Sequence, residues 1–426
     1  MKELGKIKIL FISDSYSGID PWLIEGKEPS GLPPFYKILR KFIEVAMVYL
    51  LYPSGRKSPI LVGENIKIFR LYKPQSKSII LKFLERTFQM CQVLVVGAII
   101  CLIYKPQIIY VTGYMTVPAS LLGKVFGIKV ISRVYGTFLY QKLVQKSLRN
   151  FISAFPEILV FKSPVDAFII TNDGTKGDMV TKLLHVPSKK VYFWINGIDK
   201  NLLKTLKAKA HQIKREILGE LNIPDNTLIV SSVGRLASWK RIDLVIKVYS
   251  EMINKKPLID SKLIIIGSGK EMDRLKLLCQ DLNLDTKVFF IGQTSHVKAL
   301  EYIVASDILL FFYEHSNVGN VLLESLYLGK VIIARNTGDT SSFIKHGFTG
   351  LLVPDKPEEA FISLASEYLF DLLHNSSKRN ELSRNATLFA ESEIWDWDIR
   401  IYKELELIKK ILELTINNLD NKKCHE

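Results

Sequence analysis

The sequence predicts an α/β protein of two domains, and three observations carry that expectation. Short apolar runs alternate along the chain with segments of helical period, which is the pattern of parallel sheets covered by helices. The alternation pauses in a polar, lysine-rich stretch at 195–215 that opens on the turn Asn196-Gly197, and then restarts. The chain has 426 residues, 48% of them hydrophobic, which is enough to bury two domain-sized cores and unlike the composition of disordered chains.

In the first half, the runs at 7–12, 45–51, 66–71, 107–111, 129–133 and 167–171 read as strands. The opening run, Ile7 to Ile12, is interrupted by Lys8 and bounded by Asp14, too short for the apolar core of a signal peptide, and is expected to be the first strand. From Pro34 to Leu51, Lys37, Arg40 and Lys41 interleave with Phe35, Ile38, Leu39 and Phe42, which predicts a basic amphipathic helix running into a strand. The most apolar stretch, Val93 to Tyr104, has twelve residues, fewer than the roughly 20 of a spanning helix. A buried core helix is the expectation there. An in-plane membrane contact is the alternative, since Lys73, Lys77, Lys82 and Arg86 lie just upstream, where they would meet lipid headgroups. In the second half the strands are expected at 227–232, 262–267, 287–291, 308–312 and 331–334, with 195–215 as the linker.

The chain holds 58 Lys and Arg against 43 Asp and Glu, a net charge of +15. Residues 1–190 hold 27 against 12, and residues 191–426 hold 31 of each, so the first half carries the whole excess. Such asymmetry points to a polyanionic partner, either nucleic acid or an anionic membrane surface. No nucleic-acid reader motif or aromatic–basic repeat accompanies it, which favours the membrane and argues against nucleic acid. Four cysteines (Cys91, Cys101, Cys279, Cys424) without a CxxC pair, and seven dispersed histidines, give neither a disulfide framework nor a metal site, so a reducing, cytoplasmic setting is expected.

In open parallel sheets ligands sit beyond the carboxyl ends of the strands. The first such loop is Gly234-Arg235-Leu236-Ala237-Ser238-Trp239-Lys240-Arg241, where a glycine lets the backbone approach a ligand and Arg235 and Lys240 could clamp a diphosphate from two sides. The second, Gly267-Ser268-Gly269, starts like a dinucleotide fingerprint but has Met272 where the third glycine would stand. The third, Ser316-Asn317-Val318-Gly319-Asn320-Val321, opens an apolar helix whose amino end suits an anion. Glu324, within two turns of that start, offers two acceptor oxygens to a pair of sugar hydroxyls. A loop, short helix and turn are expected from Gly338 through Gly347 to Pro354.

Six elements in register resemble the family 4 glycosyltransferases, retaining enzymes of the GT-B fold that use nucleotide-sugar donors: Asn196-Gly197-Ile198-Asp199, Gly234-Arg235-Leu236 with Lys240, Ile266-Gly267-Ser268-Gly269, Phe290-Ile291-Gly292, Gly319 through Glu324, and Gly347 through Pro354. The resemblance covers about residues 190–400. It implies two Rossmann-like α/β domains facing each other across a donor-binding cleft, an acceptor-side domain at 1–195 and a nucleotide-sugar domain at 196–390. The segment 391–426, through Trp395-Asp396-Trp397 to Tyr402, would be the helix that crosses back onto the first domain. It further implies that Arg235 and Lys240 grip the donor diphosphate and Glu324 the ribose hydroxyls. Gly234, Gly267 and the backbone from Gly319 through Asn320 to Val321 would line the phosphates or sugar, and Phe290 to Gln293 the base. No cofactor and no metal are expected beyond the donor. The acceptor would be a sugar or lipid-linked glycan, used at the inner face of the cell membrane.

The chain departs from the family in named places. The family has two glutamates separated by seven residues; here Ser316 stands at the first position and Glu314 two residues earlier, so either could face the donor sugar. Ser342 replaces a further glutamate, and Tyr135 stands where a histidine commonly contacts the sugar. The glycine pair after the first strand gives way to a longer loop, Asp14 to Pro34, with Gly31 as its nearest equivalent. Two other readings follow from these departures: a non-catalytic GT-B relative that binds nucleotide sugar, and a sugar-nucleotide epimerase.

Overall fold

A computed structural model describes residues 7–13, 33–54, 63–72, 78–145, 147–171, 174–255 and 260–423, together with 19, 22, 23, 26 and 76. The chain divides into two units. The first comprises 1–172, 176–195 and 397–426, and the second 173–175 and 196–396.

Among the described residues of the first unit, seven parallel strands form one sheet in the order β3-β2-β1-β4-β5-β6-β7. They are β1 (Lys8–Ile12), β2 (Met47–Pro53), β3 (Ile66–Leu71), β4 (Ile108–Thr112), β5 (Lys129–Val134), β6 (Ala167–Ile170) and β7 (Val191–Phe193). The helices are α1 (Pro33–Val45), α2 (Ile79–Tyr104), α3 (Thr116–Phe126), α4 (Leu139–Val144), α5 (Leu148–Lys162) and α6 (Gly177–Leu183), with the last helix of the chain (Trp397–Lys423) joining them. Central strands are apolar on both sides because both sides are covered. Ile9, Phe11, Val48 and Leu50 pack with α1 and the last helix. Leu10, Ile12, Tyr49 and Leu51 pack on the other face with α2, α3 and α5.

The second unit shows six parallel strands among its described residues, ordered β10-β9-β8-β11-β12-β13. They are β8 (Leu228–Val233), β9 (Ser261–Ile266), β10 (Val288–Gly292), β11 (Ile308–Phe311), β12 (Val331–Arg335) and β13 (Leu351–Val353). Its helices are α7 (Lys200–Ala208), α8 (Ala210–Glu220), α9 (Ile242–Lys255), α10 (Met272–Asp281), α11 (His296–Ala305), α12 (Asn320–Tyr327), α13 (Thr340–Phe343), α14 (Glu358–His374) and α15 (Ser376–Glu393); the last helix is therefore α16.

Every run read as a strand is one, within a few residues, and α1 leads into β2 as its pattern predicts. The chain passes from the first unit to the second at Ile195/Asn196, where the stretch read as a linker begins, but most of 195–215 is structured: α7 and α8 begin there, with Leu203, Leu206, Ile213 and Ile217 buried at helical spacing beneath a lysine-rich surface. Asp199 starts α7 by accepting the Leu202 N–H at 3.1 Å. The segment expected as a turn at 350–354 holds β13, and the first unit's sheet has a further strand, β7, beyond those the pattern predicts. Each has three residues, too few to show a period. The apolar stretch at 93–104 is the second half of α2, whose one face is buried at Gln89, Val93, Gly97 and Ile100. A Cβ at Gly97 would lie 2.5 Å from a Leu122 methyl, so this glycine sets the close approach of α2 and α3.

One polar cluster lies wholly inside the first unit. Glu404 of α16 accepts from Tyr110 of β4 at 2.7 Å, pairs with Arg133 of β5, and lies 2.6 Å from Arg400 of its own helix. Arg133, Arg400 and Glu404 are all fully buried. The guanidinium of Arg133 faces the Tyr135 ring and that of Arg400 the Trp194 ring. Arg400 also donates to the Ile195 carbonyl at 2.8 Å. Burial lowers the Arg400 pKa from its ordinary value against the pull of Glu404. One carboxylate thus compensates two buried cations and ties α16 to the carboxyl ends of β4 and β5. Glu404→Gln keeps the shape and removes the charge, and is expected to cost about 3–5 kcal/mol in denaturant unfolding at neutral pH; a loss below ~1 kcal/mol would show that the pair is dispensable.

Candidate active site

The strand order of the second sheet reverses between β8 and β11, and such a switch point is where ligands bind in open parallel sheets. The loops leaving these two strands are the ones the sequence singles out.

After β8, Gly234 has φ +154°, and after β9, Gly267 has φ +131°, both in the region that favours glycine. A Cβ on Gly267 would fall 2.0 Å from the Gly234 carbonyl oxygen, and one on Gly269 2.1 Å from that of Leu236. The two loops therefore touch backbone to backbone, and hydrogen bonds fasten them: Gly234 N–H to the Ile266 carbonyl at 2.9 Å and Leu236 N–H to that of Ser268 at 3.0 Å. The next loop joins in, with Gly267 N–H donating to the Gly292 carbonyl at 2.9 Å. This explains why Met272 can replace a third glycine: it opens α10, beyond the close contact.

The β8 loop turns at Ser238–Lys240 and presents Lys240 between two rings, its Nζ 4.2 Å from the centre of Trp239 and 3.4 Å from that of Tyr313. Tyr313 is held in place by its hydroxyl, which donates to the Val233 carbonyl at 2.9 Å, and burial raises its pKa. A cation over aromatic faces is attracted by the ring quadrupoles, more strongly where water is excluded. Arg235 is exposed beside it. Arg241 is committed elsewhere, to Asp243 at 3.1 Å and Glu358 at 2.7 Å.

The loop after β11 is ordered by buried Asn317. Its Oδ1 accepts the Tyr313 N–H at 3.0 Å, and its Nδ2 donates to the Arg335 carbonyl at 2.8 Å. Glu314 is exposed, its N–H bonded to the Trp239 carbonyl at 2.9 Å and its carboxylate 3.7 Å from Arg241. Ser316 is buried and its Oγ accepts the Val318 N–H at 3.1 Å. Gly319 precedes α12 in an extended conformation, and Asn320 Oδ1 accepts from Asn196 at 3.0 Å, which fixes the start of the helix to the Asn-Gly turn. The first N–H groups of a helix have no partner within it, so the segment from Gly319 through Val321 aims a positive dipole end outward. Glu324 is 4% exposed and meets His296 Nε2 of α11 at 2.9 Å. Gln293 is exposed, just past the left-handed Gly292.

The second unit thus gathers Gly234, Arg235, Lys240, Gly267, Gln293, Glu314, Ser316, Gly319, Asn320, Val321 and Glu324 on loops and a helix start beyond the carboxyl ends of β8 to β11. Tyr135 belongs to the first unit, half-buried after β5 with its ring 4.8 Å from the Arg133 guanidinium. Gly31 lies outside the described residues. Four contributors are not marked by the sequence alone. Trp239 and Tyr313 as the Lys240 cage, Asn317 as the loop hub, and His296 as the Glu324 partner all depend on neighbours across loops; only Trp239 is adjacent in the chain. Among the described residues, no group of three or more His, Cys, Asp or Glu is placed to hold a metal ion.

Residues 213–389 match the model of the family described as "Glycosyl transferases group 1", so the resemblance stands for the five motifs from Gly234 through Pro354, while Asn196-Gly197-Ile198-Asp199 lies before the matched stretch. A protein of Methanocaldococcus jannaschii named as an uncharacterized glycosyltransferase is 29% identical over 196 residues, 45% of this chain and 46% of that one. The chain spans about half the length of curated relatives such as this. A Campylobacter jejuni enzyme named N-acetylgalactosamine-N,N'-diacetylbacillosaminyl-diphospho-undecaprenol 4-alpha-N-acetylgalactosaminyltransferase is 24% identical over 79% of this chain and 86% of its own. Among solved structures, sucrose-phosphate synthase from Thermosynechococcus elongatus superposes with a TM-score of 0.71 at 16% identity, over 96% of this chain and 100% of that one. The fold is GT-B, two α/β domains with parallel sheets.

The backbone contact at Gly267 is testable by thermal melting. Gly267→Ala must push the β8 and β9 loops apart and is expected to cost about 2 kcal/mol or more. Gly219→Ala, in α8 with open space around the new methyl, is expected to leave stability unchanged or raise it by about 0.5–1 kcal/mol. Equal melting temperatures for the two variants would contradict the close packing.

Proposed function

We propose that the protein is a retaining glycosyltransferase that moves a sugar from a nucleotide diphosphate donor to a lipid-linked or glycan acceptor presented at a membrane. The observation that carries this reading is the Lys240 ammonium held between Trp239 and Tyr313 at the switch point, with Glu324 buried near the start of α12. When the bond between sugar and diphosphate breaks, negative charge gathers on the departing nucleotide. Arg235, Lys240 and the amino end of α12 would receive it, and stabilising that charge is the larger part of such catalysis. Glu324 would accept hydrogen bonds from both ribose hydroxyls, with His296 orienting its carboxylate. Gln293 would border the base. In this reading the basic groups do the work of leaving-group stabilisation, and no cofactor beyond the donor takes part.

The acceptor class rests on relatives such as the Campylobacter enzyme, whose name specifies a diphospho-undecaprenol-linked glycan. The excess of Lys and Arg in residues 1–190 fits a contact with an anionic membrane surface, on the cytoplasmic side. One observation favours a second reading, a relative that binds nucleotide sugar without turning it over. Glu314 is directed to Arg241 and Ser316 to the Val318 N–H, so neither offers the donor sugar a carboxylate in the position the family uses. A sugar-nucleotide epimerase would alter the donor with no acceptor present.

Purified protein assayed with a panel of nucleotide sugars, on lipid-linked and soluble acceptors, is expected to transfer sugar, and Lys240→Ala and Glu324→Ala each to lower that rate by about a hundredfold or more. Donor binding by calorimetry without any turnover would replace this reading with the non-catalytic one. Unchanged rates in both variants would remove the site assignment.

A further inference from the structure

The two helix layers of the first unit differ on their outer sides. The layer of α1 and α16 turns charge outward, with exposed Arg40 and Glu44 on α1 and exposed Glu406 and Lys410 on α16. The layer of α2, α3 and α5 turns apolar side chains outward. On α2, Leu84, Phe88, Val95, Ile99 and Leu102 recur at steps of three, four and seven, opposite the buried stripe, and each is about half exposed or more. Leu121 and Val125 continue the surface on α3, and Phe151, Ile152 and Phe155 continue it on α5. All three helices pack on the same face of the sheet, so these side chains share one outer surface. Contiguous apolar surface beyond a few hundred Å² marks an interaction site.

The geometry points to this layer as a monotopic membrane platform, which sinks into the hydrocarbon of one leaflet of an anionic bilayer. Phe83–Tyr104 is long and apolar enough to cross a membrane, but Gln89, Val93, Gly97 and Ile100 are packed within the domain, with Gly97 against Leu122. The helix, ~39 Å long, therefore lies in the membrane plane and offers its outer stripe alone. Charge selects the occupant. From Arg86 to Pro156 the chain has no Asp or Glu and eight Lys or Arg. Of these, Arg86, Lys105, Lys124 and Arg149 are exposed at or near the helix ends, where phospholipid headgroups would meet them. A second copy of the chain docked on this face by a two-fold axis would set these cations against their own copies, which an anionic leaflet does not.

This goes beyond the charge-held contact of the proposed function, because apolar insertion survives screening. The protein is mixed with vesicles of phosphatidylcholine, with or without phosphatidylglycerol, and floated at rising salt. Binding to the anionic vesicles is expected to persist at about 1 M NaCl, where screening acts within ~3 Å. The triple variant Phe88→Ser, Ile99→Ser, Leu102→Ser is expected to bind about tenfold less at an unchanged melting temperature. Cys91, exposed on α2 between Phe88 and Val95, supplies a second readout with those residues intact, since Cys101 and Cys279 are buried and Cys424→Ser removes the fourth thiol. An environment-sensitive dye on Cys91 is expected to shift to the blue on vesicles and to be quenched by lipids brominated along the acyl chain. Complete release by salt, a dye that stays in water, or a lipid-free dimer that shields Cys91 from labelling would each overturn the proposal. No donor or acceptor enters these measurements, so their failure is separate from failure of the transferase reading.

Discussion

The loops at the carboxyl edge of the second sheet depend on a backbone contact, the carbonyl of Gly234 seated where any side chain on Gly267 would lie. Parallel strands end side by side, and the loops that leave them normally diverge to make room for side chains. Here glycines let the β8 and β9 loops close on each other, and the β10 loop follows through the bond from Gly267 to Gly292. The turn at Ser238–Lys240 carries the loop toward the strand across the switch point, and Lys240 lies over Tyr313. Tyr313 is itself fixed from both sides, by Val233 through its hydroxyl and by Asn317 through its N–H.

Charge is handled differently in the two units. In the first, two guanidiniums and a carboxylate are sealed from solvent, with aromatic faces of Tyr135 and Trp194 completing the surroundings. That cluster holds α16 against the sheet and is a structural device. In the second, the charges that matter are left reachable. Lys240 is only partly buried, Arg235 is exposed, and Glu324 has its buried carboxylate paired with a histidine whose side chain is 46% accessible. A pair with one open partner leaves room for ligand hydroxyls beside the histidine. A sealed cluster does not, and this contrast is why the proposed chemistry is assigned to the second unit.

The fold was largely legible because a parallel sheet covered on both sides writes its strands as continuous apolar runs, as Ile9 to Ile12 and Leu263 to Ile266 do. Edge strands such as Val191–Phe193 and Leu351–Val353 are too short to carry a pattern. The stretch 195–215 misled because its lysines dominate the composition, although Leu203, Leu206, Ile213 and Ile217 already stood at helical spacing. At the site, the glycine loops and Glu324 were visible because special backbone and charge are local properties. His296 lies 28 residues from Glu324 and meets it only because α11 and α12 follow strands of one sheet. The length of α2 was also hidden, since Glu85 and Arg86 break its apolar run while the helix continues through them.

The carboxyl edge of the second sheet is proposed to bind a nucleoside diphosphate. A crystal structure of the chain with such a nucleotide tests it most directly. The ribose hydroxyls are expected within hydrogen-bond distance of the Glu324 carboxylate, and the diphosphate on Lys240 and Arg235, with Lys240 drawn off the Tyr313 ring. A nucleotide bound away from the loops after β8 and β11, with Lys240 still between its two rings, would contradict it.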